Sequence, residues 1–280
     1  MASVRDLLAK STTLAGDESL REAQLLLCAA LDKPRSYLIA WPEADVPAAA
    51  EQRYRDWLQR RIQGVPIAYL LGSRDFWSLS LQVNEATLIP RADTELLIET
   101  ALSLDLSGDS AALDLGTGSG AIALALAKER PFWRITAVEQ SAEALDVARA
   151  NGERLGLQRI EWLQGDWFSE LSGRRFSLIV SNPPYIADED SHLSRGDLRF
   201  EPRSALASGV DGLDDIREII DSAPMHLESG GHLFLEHGFA QGAAVRELLS
   251  AAGFSNVGSS RDLAGHERVT GGAWLGELAE

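Results

Sequence analysis

Asn182-Pro183-Pro184-Tyr185 is the stretch of this sequence best equipped for chemistry. It follows Phe176-Ser-Leu-Ile-Val180, an apolar run of the kind that forms a buried strand. Each proline fixes its own φ, and the residue before a proline is pushed out of the helical region. The turn is therefore stiff and extended. It offers one side-chain amide, backbone carbonyls and one aromatic ring in a fixed array. Two carbonyls can accept both N–H bonds of a planar nitrogen, from an amide or a ring amine, while the ring covers its face. The same turn could do no more than end a strand, so the rest of the chain has to decide.

A second stretch decides it. Ala112-Leu-Asp-Leu115 reads as a short strand, Gly116-Thr117-Gly118-Ser119-Gly120 as a tight turn, and Ala121–Ala127 as a helix. Strand, glycine turn and helix open a nucleotide-binding βαβ unit, because glycine lets the backbone approach a ligand closely. The spacing is G-x-G-x-G and not the G-x-G-x-x-G of dinucleotide binders. The next strand, Arg134–Val138, runs into Glu139, a carboxylate placed to accept from two ribose hydroxyls. Ser141 caps a helix that runs to about Leu155 and that Gly156 stops. A third strand from Ile160 ends in Gly165-Asp166-Trp167-Phe168. Asp166 suits an exocyclic adenine amine, and Trp167 suits the adenine or ribose face. In an open α/β sheet such strand tips line one crevice, and a common ligand explains all of them.

The residues that carry these features resemble a known family. The catalytic half looks like a class I S-adenosylmethionine-dependent methyltransferase. The whole chain resembles the PrmC/HemK family, bacterial enzymes that methylate a glutamine side chain of peptide chain release factors. The matching blocks are Pro66–Gly72, Ile89-Pro-Arg91-Ala-Asp-Thr94-Glu95, Leu113–Gly120, Gly165–Phe168, Ser181–Tyr185, Phe200-Glu-Pro202 and Glu267-Arg-Val269. The resemblance implies an α/β fold: a Rossmann-like class I methyltransferase domain with a mainly parallel seven-stranded sheet, preceded by a small helical N-terminal domain and a β-hairpin linker. It implies S-adenosyl-L-methionine as donor, S-adenosyl-L-homocysteine as product, and transfer to the N5 amide nitrogen of the glutamine in the release-factor Gly-Gly-Gln motif. By the same resemblance Gly116, Thr117, Gly118, Ser119 and Gly120 cradle the methionine part, Glu139 holds the ribose, and Trp167 contacts the nucleoside. Asn182 touches both cofactor and acceptor. Pro183, Pro184 and Tyr185 shape the glutamine pocket, and Asn182, Pro183 and Tyr185 are expected to be the catalytic set. Arg91 and Thr94 are expected to help close the cofactor site. Relatives often carry Asp where this chain has Glu139, and the longer acid still reaches a ribose.

The elements that must position these residues follow from pattern. The division expected is 1–75, a helical release-factor-binding domain with the start of the hairpin, and 76–280, the methyltransferase domain. Helices are expected near Ser3–Ala9, Ser19–Leu31, Arg35–Trp41 and Ala48–Gln63, with Ser19 and Glu22 as a capping box. Asp75–Val83 alternates like a hairpin, and 92–104 reads as the lead helix of the catalytic domain. Residues 186–212 form a long polar loop expected to fold over the substrate. A helix near 214–227, ended or distorted by Pro224, then a strand at 232–236, a helix near 240–252 and two closing strands complete the chain.

Composition narrows the function classes. Lys plus Arg is 26 against 42 Asp plus Glu, a formal charge of −16, which disfavours nonspecific nucleic-acid binding. Cys28 is the single cysteine, and the five histidines have no zinc-type spacing, so no metal is expected. Glu236 and His237 end an apolar strand and read as structural. No apolar run approaches the roughly 20 residues that span a membrane. A cytoplasmic monomer with release factors as protein partners is expected, with no direct nucleic-acid binding and no membrane association. The main alternative is an amino-methyltransferase for adenine in DNA or RNA. A cofactor- or factor-binding protein without turnover is less consistent with the intact Asn182 and Glu139, and the glycine spacing disfavours an NAD-dependent dehydrogenase.

Overall fold

The computed structural model describes residues 2–9, 14 and 18–276. The chain divides into two compact units, Met1–Ser73 and Arg74–Glu280.

The first unit is helical: α1 Val4–Leu8, α2 Ser19–Leu31, α3 Arg35–Ala40, α4 Ala48–Ile62 and α5 Ile67–Leu71. Leu7, Leu26, Leu27 and Tyr54 are fully buried at its centre. The Tyr54 hydroxyl donates to the Leu7 carbonyl at 3.2 Å, so its polar tip is satisfied inside the core. The Arg61 guanidinium closes a two-pronged pair with Glu22 at 2.8 and 2.6 Å, which ties α4 to α2. The capping box expected at Ser19 does not form. Glu18 takes the N-cap position without a side-chain bond, and Ser19 is already helical. A capping box forms instead at α1, where Ser3 and Asp6 bond each other's backbone N–H. Helix α5 is an addition to the expected hairpin region. It is five residues long, too short for a helical period to show, and begins after Pro66 and stops at Gly72 in the left-handed conformation.

The second unit opens with a hairpin, β1 Ser73–Phe76 and β2 Leu79–Gln82. Its two-residue turn, Trp77-Ser78, holds φ of 49° and 52°. Both values are positive, as a primed hairpin turn requires, but neither residue is the usual glycine or asparagine. A 3-10 turn at Ala92–Thr94 then leads into α6 Glu95–Leu102. The α/β core follows: β3 Ala111–Leu115, α7 Ala121–Glu129, β4 Arg134–Glu139, α8 Ala142–Arg154, β5 Glu161–Gln164 and β6 Phe176–Ser181. Its second half is α9 Asp214–His226, β7 Leu227–Glu236, α10 Gly242–Ala251, β8 Ser255–Arg261 and β9 Glu267–Trp274. Pro224 lies in the last turn of α9, and the helix stops two residues later.

The strands form one seven-stranded sheet in the order β5-β4-β3-β6-β7-β9-β8. Strands β5, β4, β3, β6 and β7 are parallel, and β9 runs against its neighbours β7 and β8. Both faces are covered, which is why the central strands read as continuous apolar runs without alternation. One face packs Leu97, Ile98, Leu124 and Leu126 from α6 and α7. The other packs Ile216, Ile219, Val245 and Leu249 from α9 and α10. Burying each such side chain contributes roughly 1.5–3 kcal/mol. Order along the chain reverses at β3, between β4 on one side and β6 on the other. The crevice beyond the carboxyl ends of these strands is where such sheets bind ligands.

Candidate active site

The glycine turn after β3 is built by its backbone. Gly116, Gly118 and Gly120 have φ of 69°, 57° and 85°, conformations that side chains with a Cβ rarely adopt. A Cβ would stand 3.2 Å from the Trp167 ring at Gly116, and 3.0 and 3.1 Å from Leu124 and Trp162 at Gly120. The Gly116 and Thr117 amides both donate to the Val138 carbonyl, at 2.9 and 3.0 Å. The Gly118 amide donates to Glu139 Oε2 at 2.8 Å, and the Ser141 amide to Oε1 at 3.0 Å. Glu139 is thereby locked at the tip of β4 with one lone pair of each oxygen still available. The Ser141 hydroxyl caps α8 at Ala144, as the sequence suggests.

Beneath the turn lies Asp114, which sequence reading passed over as a strand residue. It is fully buried. Its Oδ2 accepts from the Thr117 hydroxyl at 2.6 Å and the Ala123 amide at 3.0 Å, while Oδ1 has no partner. Burial pushes its carboxyl up to about 7, against the lowering effect of those two donors. Asn151 was also missed. Wholly buried on α8, it accepts from the Gln82 amide at 2.7 Å and donates to the Gln82 and Ser119 carbonyls, each at 3.0 Å. It thus braces the glycine turn against the hairpin. The signal for Asp114 was a polar side chain within an apolar run, where only a partnered group is tolerated; Asn151, between Arg149 and Glu153, carried no such signal.

A cleft of about 540 Å³ runs along the strand tips. Gly116, Gly118, Glu139, Asp166, Trp167, Asn182 and Pro184 all line it, so the structure brings these expected residues together. Thr117 and Ser119 are buried, and Thr117 turns its hydroxyl to Asp114. Gly120 is backed by Leu124, Trp162 and Ala148. Pro183 is buried and Tyr185 half-buried next to Asn182. Six acids border the cleft, Glu85, Glu139, Glu143, Asp166, Asp215 and Glu218, and among the described residues no lysine or arginine does. Burial and the neighbouring Asp166 and Asp215 charges hold the Glu218 carboxyl above its ordinary value.

The Asn-Pro-Pro-Tyr turn is anchored on both sides. Ser181 Oγ donates to the Leu115 carbonyl at 2.7 Å, fixing the end of β6 to β3. Asn182 Nδ2 donates to Thr94 Oγ1 at 3.1 Å. The Tyr185 hydroxyl donates to Glu236 Oε1 at 3.3 Å, and Gln241 Nε2 donates to the Tyr185 carbonyl at 3.1 Å. Burial and the Glu236 charge raise the Tyr185 phenol well above its ordinary value, so it is a neutral ring at physiological pH. His237 is enclosed, with ring nitrogens 2.7 Å from Thr270 Oγ1 and 2.9 Å from the Gly238 carbonyl, and burial lowers its pKa. Among the described residues no group of three His, Cys, Asp or Glu side chains is placed to hold a metal ion.

The long loop is ordered by short 3-10 turns and its own ladder. Ile186 and Ala207 form a bridge, with Ile186 bonded to Leu206 and Ser208 at 2.9 Å each. Pro202, Ser204 and Ala205 bring the loop to the rim of the cleft. Its anchor is Glu201, whose Oε2 accepts the Ile89 amide at 2.9 Å and whose Oε1 pairs with Arg91. Arg91 therefore acts on the loop, and Thr94 on Asn182. No helix among the described residues is long and apolar enough to cross a membrane.

The PrmC N-terminal domain family matches residues 5–72, and the methyltransferase small domain family matches residues 92–198. The chain is 56% identical to the release factor glutamine methyltransferase of Pseudomonas aeruginosa over 268 residues, 95% of this chain and 97% of that one. It is 46% identical to the enzyme of that name from Escherichia coli, over 93% of this chain and 94% of the other. Among solved structures, the hMettl16 catalytic domain in complex with an RNA hairpin superposes with a TM-score of 0.59 over 86% of this chain and 85% of its own, at 17% identity. A methyltransferase from Pyrococcus furiosus does so at 0.54, over 71% of this chain and 89% of its own, at 21% identity. These two share the class I methyltransferase fold.

Proposed function

This chain belongs to the release factor glutamine methyltransferase family, and we propose that it transfers the methyl group of S-adenosylmethionine to the N5 amide nitrogen of the glutamine in the Gly-Gly-Gln motif of peptide chain release factors. The observation that carries this reading is the Asn182 side chain. Its nitrogen is bonded to Thr94, which leaves its oxygen as an acceptor in the cleft shared with the glycine turn and Glu139.

The cleft suits the donor. Gly116 gives way to the Trp167 ring where a Cβ would crowd it, Glu139 has lone pairs for a ribose, and Asp166 for an adenine amine. A border whose charged side chains, among the described residues, are all acidic favours a cationic sulfonium and disfavours the phosphates of a dinucleotide. When bound, S-adenosylmethionine supplies an electrophilic methyl with its leaving group already attached, and no metal is needed.

The residues of the turn prepare the nucleophile. An amide nitrogen is weak because its lone pair is delocalised into the carbonyl. The Asn182 oxygen and the Pro183 carbonyl each accept one N–H of the glutamine amide. These acceptors hold the nitrogen in place and favour the positive charge that grows on it, which is electrostatic preorganisation for the transition state. Alignment adds a proximity term that can reach roughly 7–11 kcal/mol. The Tyr185 ring packs against the amide plane. The cationic N-methylated amide formed first is a strong acid, and it loses one proton to water, giving the neutral product without a dedicated base.

The first unit, whose family match is the PrmC N-terminal domain, serves as the docking surface for the whole factor. We read the protein as a cytoplasmic monomer without direct nucleic-acid contacts. Purified release factor incubated with protein and S-adenosylmethionine should gain one methyl group on that glutamine. Methylation of adenine in oligonucleotides and not of the factor would replace this reading by the amino-methyltransferase one.

A further inference from the structure

Glu236 ends β7 with its side chain enclosed, 1% exposed. Its Oε1 accepts from the Tyr185 hydroxyl, and its Oε2 has no donor at hydrogen-bond geometry. The Thr94 hydroxyl stands beside this carboxylate and helps to hold its charge. The same hydroxyl accepts from Asn182 Nδ2. Asn182, Thr94, Glu236 and Tyr185 thus form one polar chain at the catalytic turn, with Thr94 and Glu236 buried.

Proton counting gives the chain a direction. A threonine hydroxyl has one proton to donate. If Thr94 turns it toward the Glu236 carboxylate, only lone pairs are left for Asn182. Asn182 must then present its NH2 to Thr94 and its oxygen to the cleft. If Glu236 carries a proton, it can donate to Thr94, and Thr94 can donate to the Asn182 oxygen. The amide then turns over and aims its NH2 at the N–H groups of the acceptor, donor against donor.

We propose that Glu236, acting through the Thr94 hydroxyl, is a positioning residue that holds the Asn182 amide with its oxygen toward the acceptor nitrogen. The inference rests on the amide-clamp reading of Asn182. It gives a task to a buried acid that contacts neither cofactor nor acceptor. It also explains why a polar chain is kept where an apolar core would be less costly.

The groups facing Glu236 are Thr94 and Asp93 from the turn before α6, Tyr185 from the loop after β6, and Arg268 on β9. Burial is the largest influence and pushes its carboxyl up to about 7, with Asp93 raising it further and Thr94, Tyr185 and Arg268 opposing. The charged form is the working one. Activity should therefore be full above neutrality and fall as pH drops through the Glu236 pKa.

The test compares wild type, Glu236→Gln, Thr94→Val and Thr94→Ser as full chains, with purified release factor, from about pH 5.5 to 9. Glu236→Gln, whose NH2 donates to Thr94 and inverts the chain, should lower kcat roughly 10- to 100-fold and leave S-adenosylmethionine affinity within about 3-fold. It should also abolish the acid limb. Thr94→Val should behave alike, and Thr94→Ser should recover to within about 3-fold of wild type because the hydroxyl returns. An acid limb that persists in Glu236→Gln, or full activity in Thr94→Val, overturns the proposal. So does a parallel loss of cofactor affinity, the mark of a merely structural role. Orientation is read independently from the Asn182 side-chain amide NMR signals. They should titrate near neutral pH in wild type and not in Glu236→Gln, and pH-independent signals in wild type contradict the relay. A wild type that binds the donor but leaves the factor unmethylated fails the functional reading alone, and the NMR titration still decides the relay.

Discussion

Glu201 accepts the backbone N–H of Ile89 at 2.9 Å and pairs with the guanidinium of Arg91, which joins the rim loop to a segment 110 residues earlier. The Ile-Pro-Arg and Phe-Glu-Pro blocks, separate in sequence, are the two halves of one latch. The Glu201 side chain is fully enclosed while Arg91 is 35% exposed. Its burial raises the carboxyl, and Arg91 and the Ile89 amide pull it back.

Glu201→Ala strands the Ile89 amide and the Arg91 charge and should cost about 1–3 kcal/mol of stability. Because Pro202, Ser204 and Ala205 follow it at the cleft rim, the Kd for S-adenosylmethionine should rise several-fold. Thermal melting with and without ligand, and calorimetric binding, check both. Unchanged melting and unchanged affinity would mean that the loop is held by its own ladder alone.

Asn182→Ala removes the clamp oxygen and leaves the glycine turn and Glu139 in place. Turnover should fall by at least about 100-fold, the scale seen when one donor of a preorganised site is removed. Donor affinity should stay within about 3-fold. Turnover equal to wild type would rule out the clamp.

Asp114 makes stability depend on pH. Its carboxyl rises from an ordinary 3.8 to about 7 in the folded state. The folded protein therefore holds a proton that the unfolded chain releases, and stability falls as pH climbs through that window. Below it the contribution is complete, and by its upper end it is lost, a change on the order of 4 kcal/mol for a group this buried. Asp114→Asn should flatten the slope. Urea midpoints of both proteins at about pH 5 and pH 8 measure it, and parallel pH dependences would refute the assignment.

Gly116→Ala places a methyl against the Trp167 ring at a φ of 69°. Donor affinity should drop about 10-fold with a loss of roughly 1–2 kcal/mol in stability, the cost of strain at a left-handed position. Titration with S-adenosylmethionine measures it, and wild-type affinity would show that the turn has slack.

Trp41 and Ile39, at the end of α3, are 62% and 69% exposed. If the first unit docks the factor, Trp41→Ala should lower kcat/KM for whole release factor several-fold and leave that for a short Gly-Gly-Gln peptide unchanged. Equal effects on both substrates would remove this surface from docking.

Local pattern carried much of this structure. The helices at Ser19–Leu31 and Ala48–Ile62 and the strands β3, β4 and β6 show in the sequence because their apolar periods are long and uninterrupted. The glycine turn, Glu139 and Asn182 show because strand tips are chemically distinctive. Helix α5 was hidden by its length, and the Trp77-Ser78 turn by the absence of glycine. Asn151 and the pairing of Glu201 with Ile89 and Arg91 were hidden for another reason. Their function is a contact made across the fold, as between Asn151 and Gln82 or Glu201 and Ile89, and no local window contains both partners. The Ser19 capping box failed because the motif needs a non-helical serine, and the helix had already begun there.

Peptide-level mass spectrometry of a purified release factor, after incubation with this protein and S-adenosylmethionine, tests the central claim most directly. The account predicts one added methyl, on the glutamine of the Gly-Gly-Gln motif, absent with Asn182→Ala. A factor left unmodified by a protein shown separately to bind the donor would contradict it.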